Sequence, residues 1–224
     1  MKIIVIIPAY NEEKTIGKVL DKLKNFIDEK NIVVIDDGSS DNTYNIAKTR
    51  GVNVYKHVIN RGLGGAIGSG LEAALIRGAD FIVTMDADEQ HDPTEINKLV
   101  EPLIKQKADI VIGSRFLTNQ KMPIIRKFYN WIANFITWII FGIWTTDSQS
   151  GFRAFNKDAA NKIEIKTNKM EVSSEIFKEI KGNKLRFTEV PIRAIYTEYS
   201  MSKGQNFFEG IKTIFRLLIL RFRR

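Results

Sequence analysis

The sequence has 224 residues, no cysteine and only two histidines, His57 and His91. Without cysteine the chain can form neither a disulfide nor a thiolate metal or redox site. Two histidines are too few for an imidazole-rich metal centre. The disulfide-stapled folds and the cysteine- and histidine-based metalloproteins are therefore excluded.

Long apolar runs are also missing. Met1–Pro8 is apolar but too short for the core of a signal peptide, and polar residues follow it. The most apolar later stretch, Trp131–Trp144, has 14 residues and is interrupted by Asn134 and Thr137, whereas a transmembrane helix needs about 20 apolar residues. We therefore expect no targeting signal and no transmembrane span.

The charge is divided unevenly along a chain of ordinary globular composition, with 44% hydrophobic and 27% charged residues. Residues 1–114 hold 14 Lys and Arg against 17 Asp and Glu, a net charge of −3. Residues 115–224 hold the other 20 against 9, a net charge of +11. A basic second half is compatible with nucleic acid, an anionic membrane or a phosphorylated substrate as partner.

Short apolar runs alternate with segments of helical periodicity through the first 114 residues. The predicted strands are 2–7, 32–35, 52–57, 81–85 and 109–112, and the predicted helices are 12–26, 42–50, 63–77 and 94–106. This alternation is typical of parallel βαβ units. We therefore predict an α/β fold, whose ligands bind at the carboxyl ends of the strands.

Two carboxylates follow the predicted strand 81–85 directly, as Asp86-Ala87-Asp88. Carboxylates one residue apart at the end of a buried strand can share a hard divalent cation and its bound phosphates, and Gln90 can add a neutral oxygen ligand. An acidic turn that caps the next helix is the structural alternative, but Asp92 already fills that position. The pattern therefore predicts a metal–diphosphate site.

A second acidic strand end, Asp36-Asp37-Gly38-Ser39, follows the predicted strand 32–35. A carboxylate here can accept a hydrogen bond from a nucleobase N–H, and we assign that role to Asp37. The glycine pattern Gly68-x-Gly70-x-x-Ala73 falls inside a predicted helix rather than after a strand. It does not fit a dinucleotide fingerprint, and it favours close packing of that helix near a ligand.

Five short motifs can be compared with known enzymes. They are Ile6-Ile7-Pro8-Ala9-Tyr10-Asn11-Glu12, Val34-Ile35-Asp36-Asp37-Gly38-Ser39, Met85-Asp86-Ala87-Asp88-Glu89-Gln90-His91, Gly113-Ser114-Arg115 and Ser150-Gly151-Phe152-Arg153. In this order they resemble family 2 inverting glycosyltransferases, and most closely the dolichol-phosphate mannose synthase group. The resemblance covers residues 2–203. It implies a GT-A fold, with a mostly parallel sheet flanked by helices, a nucleotide-sugar donor, Mg²⁺ or Mn²⁺, and a polyprenyl-phosphate or dolichyl-phosphate acceptor.

The resemblance also implies roles for individual residues. The residues implied to bind the nucleotide sugar are Pro8, Tyr10, Glu12, Ile35, Asp37, Asp86, Ala87 and Lys203. The implied metal ligands are Asp86, Asp88 and Gln90. The implied acceptor-phosphate residues are Arg115, Arg126 and Asn130. Ser150 and Arg153 lie in a predicted turn followed by a strand, where they either form a wall of the acceptor site near Asp147 or make a structural connection with Arg153 in an ion pair. Among all of these, Asp88 and Arg115 are the implied catalytic residues.

The donor sugar is left open by one departure from the family pattern. The mannose synthases carry an arginine six residues before the lysine that matches Lys203, and this chain has Thr197 there. GDP-mannose, UDP-glucose and UDP-N-acetylglucosamine all stay candidates. An acceptor phosphate is already anionic near neutral pH, so we nominate no catalytic base, although Asp147 and Glu175 are carboxylates to test.

The second half of the chain suggests contact with a membrane surface. Trp131–Trp144 is either an ordinary core helix or an interfacial helix, where tryptophan is favoured. The segment from Lys203 carries six cations against one acid, a net charge of +5, interleaved with apolar residues. We predict a catalytic domain over 1–203, with a nucleotide-binding half (1–114) and an acceptor-binding half (115–203), and a basic amphipathic helix over 204–224. We expect peripheral binding at the cytoplasmic face of a membrane, with an integral-membrane protein as a further partner.

Two other functions agree with part of the sequence. A sugar nucleotidyltransferase would also bind a nucleotide diphosphate, but such enzymes open with a glycine-rich, arginine-containing loop where this chain has Pro8–Glu12. A basic nucleic-acid-binding module would show aromatic residues on a polar sheet face. Here the aromatic residues lie in apolar helical runs, so we expect no nucleic-acid partner.

Overall fold

The computed structural model describes residues 1–118, 124–166 and 172–195, with the backbone alone for 124–126. Seven strands form one sheet in the order β3-β2-β1-β4-β6-β5-β7. The strands are β1 (Ile3–Ala9), β2 (Ile32–Asp36), β3 (Asn53–Lys56), β4 (Phe81–Thr84), β5 (Ile110–Ser114), β6 (Arg153–Asn156) and β7 (Phe187–Pro191). The helices are α1 (Ile16–Leu23), α2 (Thr43–Lys48), α3 (Gly62–Ile76), α4 (Ile96–Ile104), α5 (Ile124–Phe141), α6 (Lys157–Lys162) and α7 (Val172–Gly182).

The sheet is parallel except for β6, which runs antiparallel between β4 and β5. Ala9 of β1 pairs with Asp36 of β2, and Ile6 pairs with Thr84 of β4. These registers bring the carboxyl ends of the first strands to one edge of the sheet. This architecture confirms the predicted α/β class, with a mostly parallel sheet flanked by helices.

Alternate residues of the buried strands feed two apolar layers. Ile4 and Ile6 pack on the side of α3 and α7, whereas Val5 and Ile7 pack on the side of α1 and α4. Helix α3 approaches the sheet closely because Gly70 has no side chain: a Cβ there would stand 2.9 Å from Ile6 Cδ1. Gly70 therefore allows the helix to pack closely on the sheet, as the sequence predicted.

Most predicted element positions agree with the structure to within a few residues. The helix predicted over 12–26 is shorter, since the backbone N–H of Glu12 is tied to Thr43 Oγ1 at 2.8 Å and residues 12–15 form a turn. The helix predicted over 94–106 begins as a 3₁₀ turn, Pro93–Glu95, before α4. Asp92 caps that turn by accepting from the Thr94 N–H at 3.0 Å, as the sequence predicted.

Helix α5 buries polar residues and exposes aromatic ones. Asn130, Asn134 and Thr137 face inward, while Trp131 and Trp138 are 56% and 46% exposed. The inward asparagines bind the turn that follows the helix. Asn130 and Asn134 both donate to the carbonyl of Thr146, at 3.2 and 2.7 Å. The helix also contributes Ile140 and Phe141 to the core, so it packs one face on the domain and exposes aromatic rings on the other. Within the ranges that the structure describes, none of the helices has both the length and the hydropathy of a membrane span.

Candidate active site

The loops that follow β1 and β2 are tied together at the carboxyl edge of the sheet. Asn11 adopts a left-handed conformation with φ of 54°. Its backbone N–H donates to Ser39 Oγ at 3.0 Å, and its side-chain Oδ1 accepts from the Ser40 N–H at 3.0 Å. These bonds fix the Pro8–Glu12 loop against the acidic loop that begins at Asp36.

The residues implied to bind the nucleoside divide into surface and core positions. Tyr10 is 47% exposed and Pro8 is partly buried, so both can line a surface site. Glu12 accepts from Thr15 Oγ1 at 2.9 Å and holds the turn before α1. Ile35 is buried in the core on the α3 side, and Ala87 is buried on the opposite side. Neither of these two side chains presents an exposed surface to a ligand.

Asp37 is buried and its carboxylate is held from three directions. Oδ1 accepts from the Arg61 N–H at 2.8 Å and contacts His57 Nδ1 at 2.7 Å. Oδ2 accepts from the Gly62 N–H at 2.7 Å. The other ring nitrogen of His57 lies 3.0 Å from Ser69 Oγ in α3. Sequence reasoning missed His57, although its position at the end of a strand on the ligand-binding edge is a signal that could have found it.

The Asp-x-Asp turn lies beside the loop that leads into β6. Asp86 packs against Gly151, where an added Cβ would stand 2.5 Å from Asp86 Oδ1. Asp88 accepts from the backbone N–H of Gln90 at 3.0 Å and also contacts the Gln90 side-chain amide. Burial, together with the neighbouring Asp86 carboxylate, raises the pKa of Asp88. The turn thus holds two mutually repelling carboxylates close together.

His91 is buried and supports this turn from the protein interior. Its Nδ1 accepts from the Asp86 N–H at 3.0 Å, and its Nε2 lies 3.6 Å from Asp86 Oδ2. The ring stacks on Phe152, with centroids 4.8 Å apart and planes 13° apart. These contacts give His91 a supporting role in the turn.

The donor set of the Asp-x-Asp turn fits a hard divalent cation. Asp86, Asp88 and Gln90 offer carboxylate and amide oxygens, which Mg²⁺ and Mn²⁺ accept as ligands. A bound cation would relieve the repulsion that raises the pKa of Asp88. Within the described residues no group of three or more His, Asp or Glu side chains forms a complete metal cage. The turn by itself therefore offers fewer ligands than such a cation takes.

Arg115 stands at the end of β5 in a bidentate ion pair. Its Nε and Nη2 donate to Asp147 Oδ2 and Oδ1 at 2.7 and 2.8 Å. Asp147 is fully buried, whereas the Arg115 side chain is 20% exposed. A paired guanidinium of this kind is held in one orientation.

The carboxylate of Glu189 fixes the turn that carries Asp147. Glu189 of β7 accepts from the Thr145 hydroxyl at 2.8 Å and from the Thr146 N–H at 2.9 Å. Thr146 Oγ1 also lies 2.6 Å from the Ser114 hydroxyl, one residue before Arg115. Glu189 was missed by sequence reasoning, because no motif marks it.

Arg153 is buried behind the Asp-x-Asp turn. It donates to the Ser148 carbonyl at 2.9 Å, and its Nε has no hydrogen-bond partner among the described residues. Burial lowers the pKa of Arg153 to about 10, so the side chain stays charged at neutral pH. A cavity of about 60 Å³ lies between it and Asp86, with Thr84, Gln149 and Gly151 also in its wall.

The remaining candidate residues of the acceptor site are only partly described. Ser150 is buried, and its hydroxyl lies 3.4 Å from the Phe152 N–H. Asn130 is buried and binds the Thr146 carbonyl. The side chain of Arg126, together with Thr197, Lys203 and the segment 204–224, lies outside the described residues.

Comparison with known proteins places the chain among the glycosyltransferases of GT-A fold. The model of the family described as glycosyl transferase family 2 matches residues 4–164, and the chain belongs to that family. This membership confirms the resemblance inferred from the five motifs. It also shows that the chain is a glycosyltransferase.

Individual relatives cover nearly the whole chain. A UDP-N-acetylglucosamine–dolichyl-phosphate N-acetylglucosaminyltransferase of Methanococcus voltae is 42% identical over 98% of this chain and 96% of its own length. An undecaprenyl-phosphate mannosyltransferase of Micrococcus luteus is 34% identical over 91% of this chain and 87% of its own. The glucosyl-3-phosphoglycerate synthase of Mycobacterium tuberculosis, solved with Mn²⁺ and UDP, superposes with a TM-score of 0.77 at 19% identity, over 98% of this chain and 79% of its own. That last likeness shows the fold alone.

Proposed function

We propose that this chain transfers a hexose, with inversion, from a nucleotide-diphosphate sugar to the phosphate of a dolichyl or other polyprenyl lipid. The observation that carries the proposal is that one segment, residues 147–151, contacts both Asp86 and Arg115. Gly151 supports Asp86, and Asp147, four residues earlier, holds Arg115. One segment therefore contacts both the Asp-x-Asp turn and the side chain of Arg115.

The relatives support the lipid acceptor and leave the sugar open. Two relatives that cover most of this chain are named for transfer to dolichyl phosphate and to undecaprenyl phosphate, from different sugars. Both acceptors are polyprenyl phosphates. The donor therefore stays within the set GDP-mannose, UDP-glucose and UDP-N-acetylglucosamine.

Asp88 and Arg115 have separate tasks in the proposed reaction. Asp86, Asp88 and Gln90 would hold Mg²⁺ or Mn²⁺, which supplies positive charge next to the leaving diphosphate when bound. Arg115, oriented by Asp147, adds a fixed charge for the phosphates of donor and acceptor. Because Asp147 holds this arginine in place before substrate binds, no reorganisation is needed in the transition state.

Asp147 and Glu175 are the two carboxylates to be tested as a catalytic base. In the described geometry, neither is free to accept a proton from the acceptor. Asp147 is occupied by the guanidinium and by the backbone N–H of Arg115 at 3.1 Å. Glu175 is buried and accepts from the Lys166 N–H at 3.0 Å. A phosphate monoester is anionic near neutral pH, so the proposed reaction needs no protein base.

The aromatic face of α5 supports work at a membrane surface. Trp131, Phe135 and Trp138 of α5 and Trp144, which follows the helix, form a continuous exposed series, with successive ring centroids 5.6, 5.9 and 6.4 Å apart. Aromatic rings of this kind are favoured at the headgroup level of a bilayer. We propose that this face binds the membrane that contains the acceptor, at its cytoplasmic side, and that the basic segment 204–224 adds electrostatic attraction.

The proposed activity is tested with radiolabelled nucleotide sugars, short polyprenyl phosphates and Mn²⁺, followed by organic extraction. Label should enter the organic phase with at least one donor and only when polyprenyl phosphate is present. A matched reaction with the same polyprenol lacking its phosphate should stay unlabelled. The absence of organic-phase label with every donor would contradict the proposal.

A further inference from the structure

The Asp37 site has a hydrogen-bonding capacity that distinguishes among nucleobases. An ionised carboxylate has about four lone-pair positions, two on each oxygen. Among the described residues, three donors already occupy the Asp37 carboxylate: the Arg61 N–H, the Gly62 N–H and His57 Nδ1. Two of these donors are on Oδ1 and one is on Oδ2. One lone-pair position, on Oδ2, has no donor among the described residues.

The Asp37 carboxylate cannot easily turn to offer more. Arg61 and Gly62 donate from the backbone at the start of α3, so their positions are fixed by the helix. His57 is itself held at its far side by Ser69 Oγ, at 3.0 Å. Asp37 is 3% exposed, and its own N–H donates to the Ala9 carbonyl at 2.8 Å. The carboxylate is therefore a preorganised, single acceptor at the edge where β1 and β2 end.

Nucleobases differ in the donors that they bring to such an acceptor. The imide edge of uracil has one N–H between two carbonyl groups, so it needs one acceptor. Guanine presents N1–H and the N2 amino group side by side and needs two acceptors. Cytosine N3 is an acceptor and would be repelled by the carboxylate. A second guanine donor left without a partner in a buried site is costly.

We propose that this site selects uridine over guanosine nucleotides, and that His57 is the positioning residue that limits Asp37 to one acceptor. The inference rests on the proposed function and names its donor class, a uridine-diphosphate sugar. His57 does not need to touch the base. It acts by occupying Oδ1 and holding the carboxylate in place.

Nucleotide affinity tests the proposal without any acceptor lipid. The probes are UDP, GDP, CDP and ADP, titrated calorimetrically into the full chain with Mn²⁺ present. An unpaired buried donor corresponds to a preference for UDP over GDP of roughly 10- to 100-fold. Equal affinity for the two, or tighter binding of GDP, overturns the inference and leaves the proposed glycosyl transfer intact. Failure to bind any of the four nucleotides would contradict the proposed function itself.

Two variants separate the role of His57 from a general structural role. H57F keeps an aromatic ring but removes the donor, so a second lone pair becomes available on Asp37 Oδ1 and the UDP preference should fall to within about threefold. H57N keeps a donor at the position of Nδ1 and should retain the preference. A merely structural histidine would change both affinities together, and the ratio of the two would stay constant in H57F. A constant ratio in H57F would overturn the role assigned to His57. If H57F does not fold, the UDP/GDP affinity ratio of the wild type still tests the base preference.

Discussion

Asp86 of the Asp-x-Asp turn rests directly on Gly151, at the point where a side chain would overlap it. A Cβ at Gly151 would stand 2.5 and 2.7 Å from the two carboxylate oxygens of Asp86. Such contacts are too short for unbonded atoms, so the carboxylate would have to move. The glycine of the Ser150–Arg153 motif thus determines where a proposed metal ligand lies.

Substitution of Gly151 by alanine should impair metal binding more than folding. We expect G151A to bind Mn²⁺ about 10-fold more weakly and to turn over about 10- to 100-fold more slowly, because the ligand is displaced. The measurements are Mn²⁺ titration and the metal dependence of turnover. G182A is the matched control, since a Cβ at Gly182 meets nothing within 4 Å. Equal effects of the two substitutions would contradict this account.

Substitution of Asp147 by asparagine should cost activity through Arg115. The neutral amide keeps the size of the side chain but cannot form the charged bidentate pair seen at 2.7 and 2.8 Å. We expect turnover of D147N to fall roughly 100-fold, because a misoriented charge stabilises the transition state poorly. Steady-state kinetics check this, together with thermal melting to show that the variant is folded. Turnover equal to that of the wild type would show that the ion pair has no part in catalysis.

The pair of Asp109 and Arg186 predicts a pH-dependent contribution to stability at the opposite edge of the sheet. Hydrogen bonds from Arg186 lower the pKa of Asp109 to about 2 from an ordinary value of 3.8. A carboxyl whose folded-state pKa is lowered stabilises the fold above its unfolded pKa and loses that effect as pH falls. D109N should lower the free energy of unfolding by about 1–2 kcal/mol at pH 7, since Arg186 is largely exposed and solvent screens part of the effect. Wild type and variant should converge between pH 4 and 2.

Urea denaturation across this pH range measures the difference. E101Q is a suitable control, because Glu101 and Lys105 form an ion pair on the exposed surface of α4, and its midpoint should stay close to that of the wild type. Turnover of D109N under native conditions should also be unchanged, which contrasts with D147N. A difference in stability that stays constant from pH 7 to pH 2 would contradict the role given to Asp109.

The exposed aromatic face of α5 should bind anionic vesicles. We expect W138S to bind them roughly 5- to 10-fold more weakly, because a large apolar ring is removed from the contact. Vesicle sedimentation at low and high salt measures the binding. The control is F26A, which removes an equally exposed aromatic ring after α1. Equal binding by wild type and W138S would remove this helix from the membrane contact.

Much of the nucleotide-side architecture is readable from local sequence. Buried strands such as β2 are short β-branched runs, and acidic residues placed directly after them fall at one edge once the strands are parallel. This is why the strand pattern alone predicts Asp37 and Asp86 at the ligand-binding edge, whereas the role of Arg115 is implied only by the family motif. The motifs that carry these residues also identify the family.

The contacts that orient these residues could not be predicted from local sequence. Arg115 meets Asp147 across 32 positions of the chain, and His57 meets Asp37 across 20. Periodicity reports only which face of an element a residue occupies. The antiparallel insertion of β6 between β4 and β5, which brings Gly151 to Asp86, has no local signature. The inward asparagines of α5 also become intelligible only beside the turn that they bind.

The central claim is metal-dependent transfer of a sugar to polyprenyl phosphate at the Asp86–Asp88 turn. Its most direct test compares wild type and D88A in the organic-extraction assay, with Mg²⁺ or Mn²⁺ and with excess EDTA. Wild type should form labelled lipid only with the metal, and D88A should form none under either condition. Full activity of D88A with Mg²⁺ or Mn²⁺, or undiminished activity of the wild type in EDTA, would contradict the account.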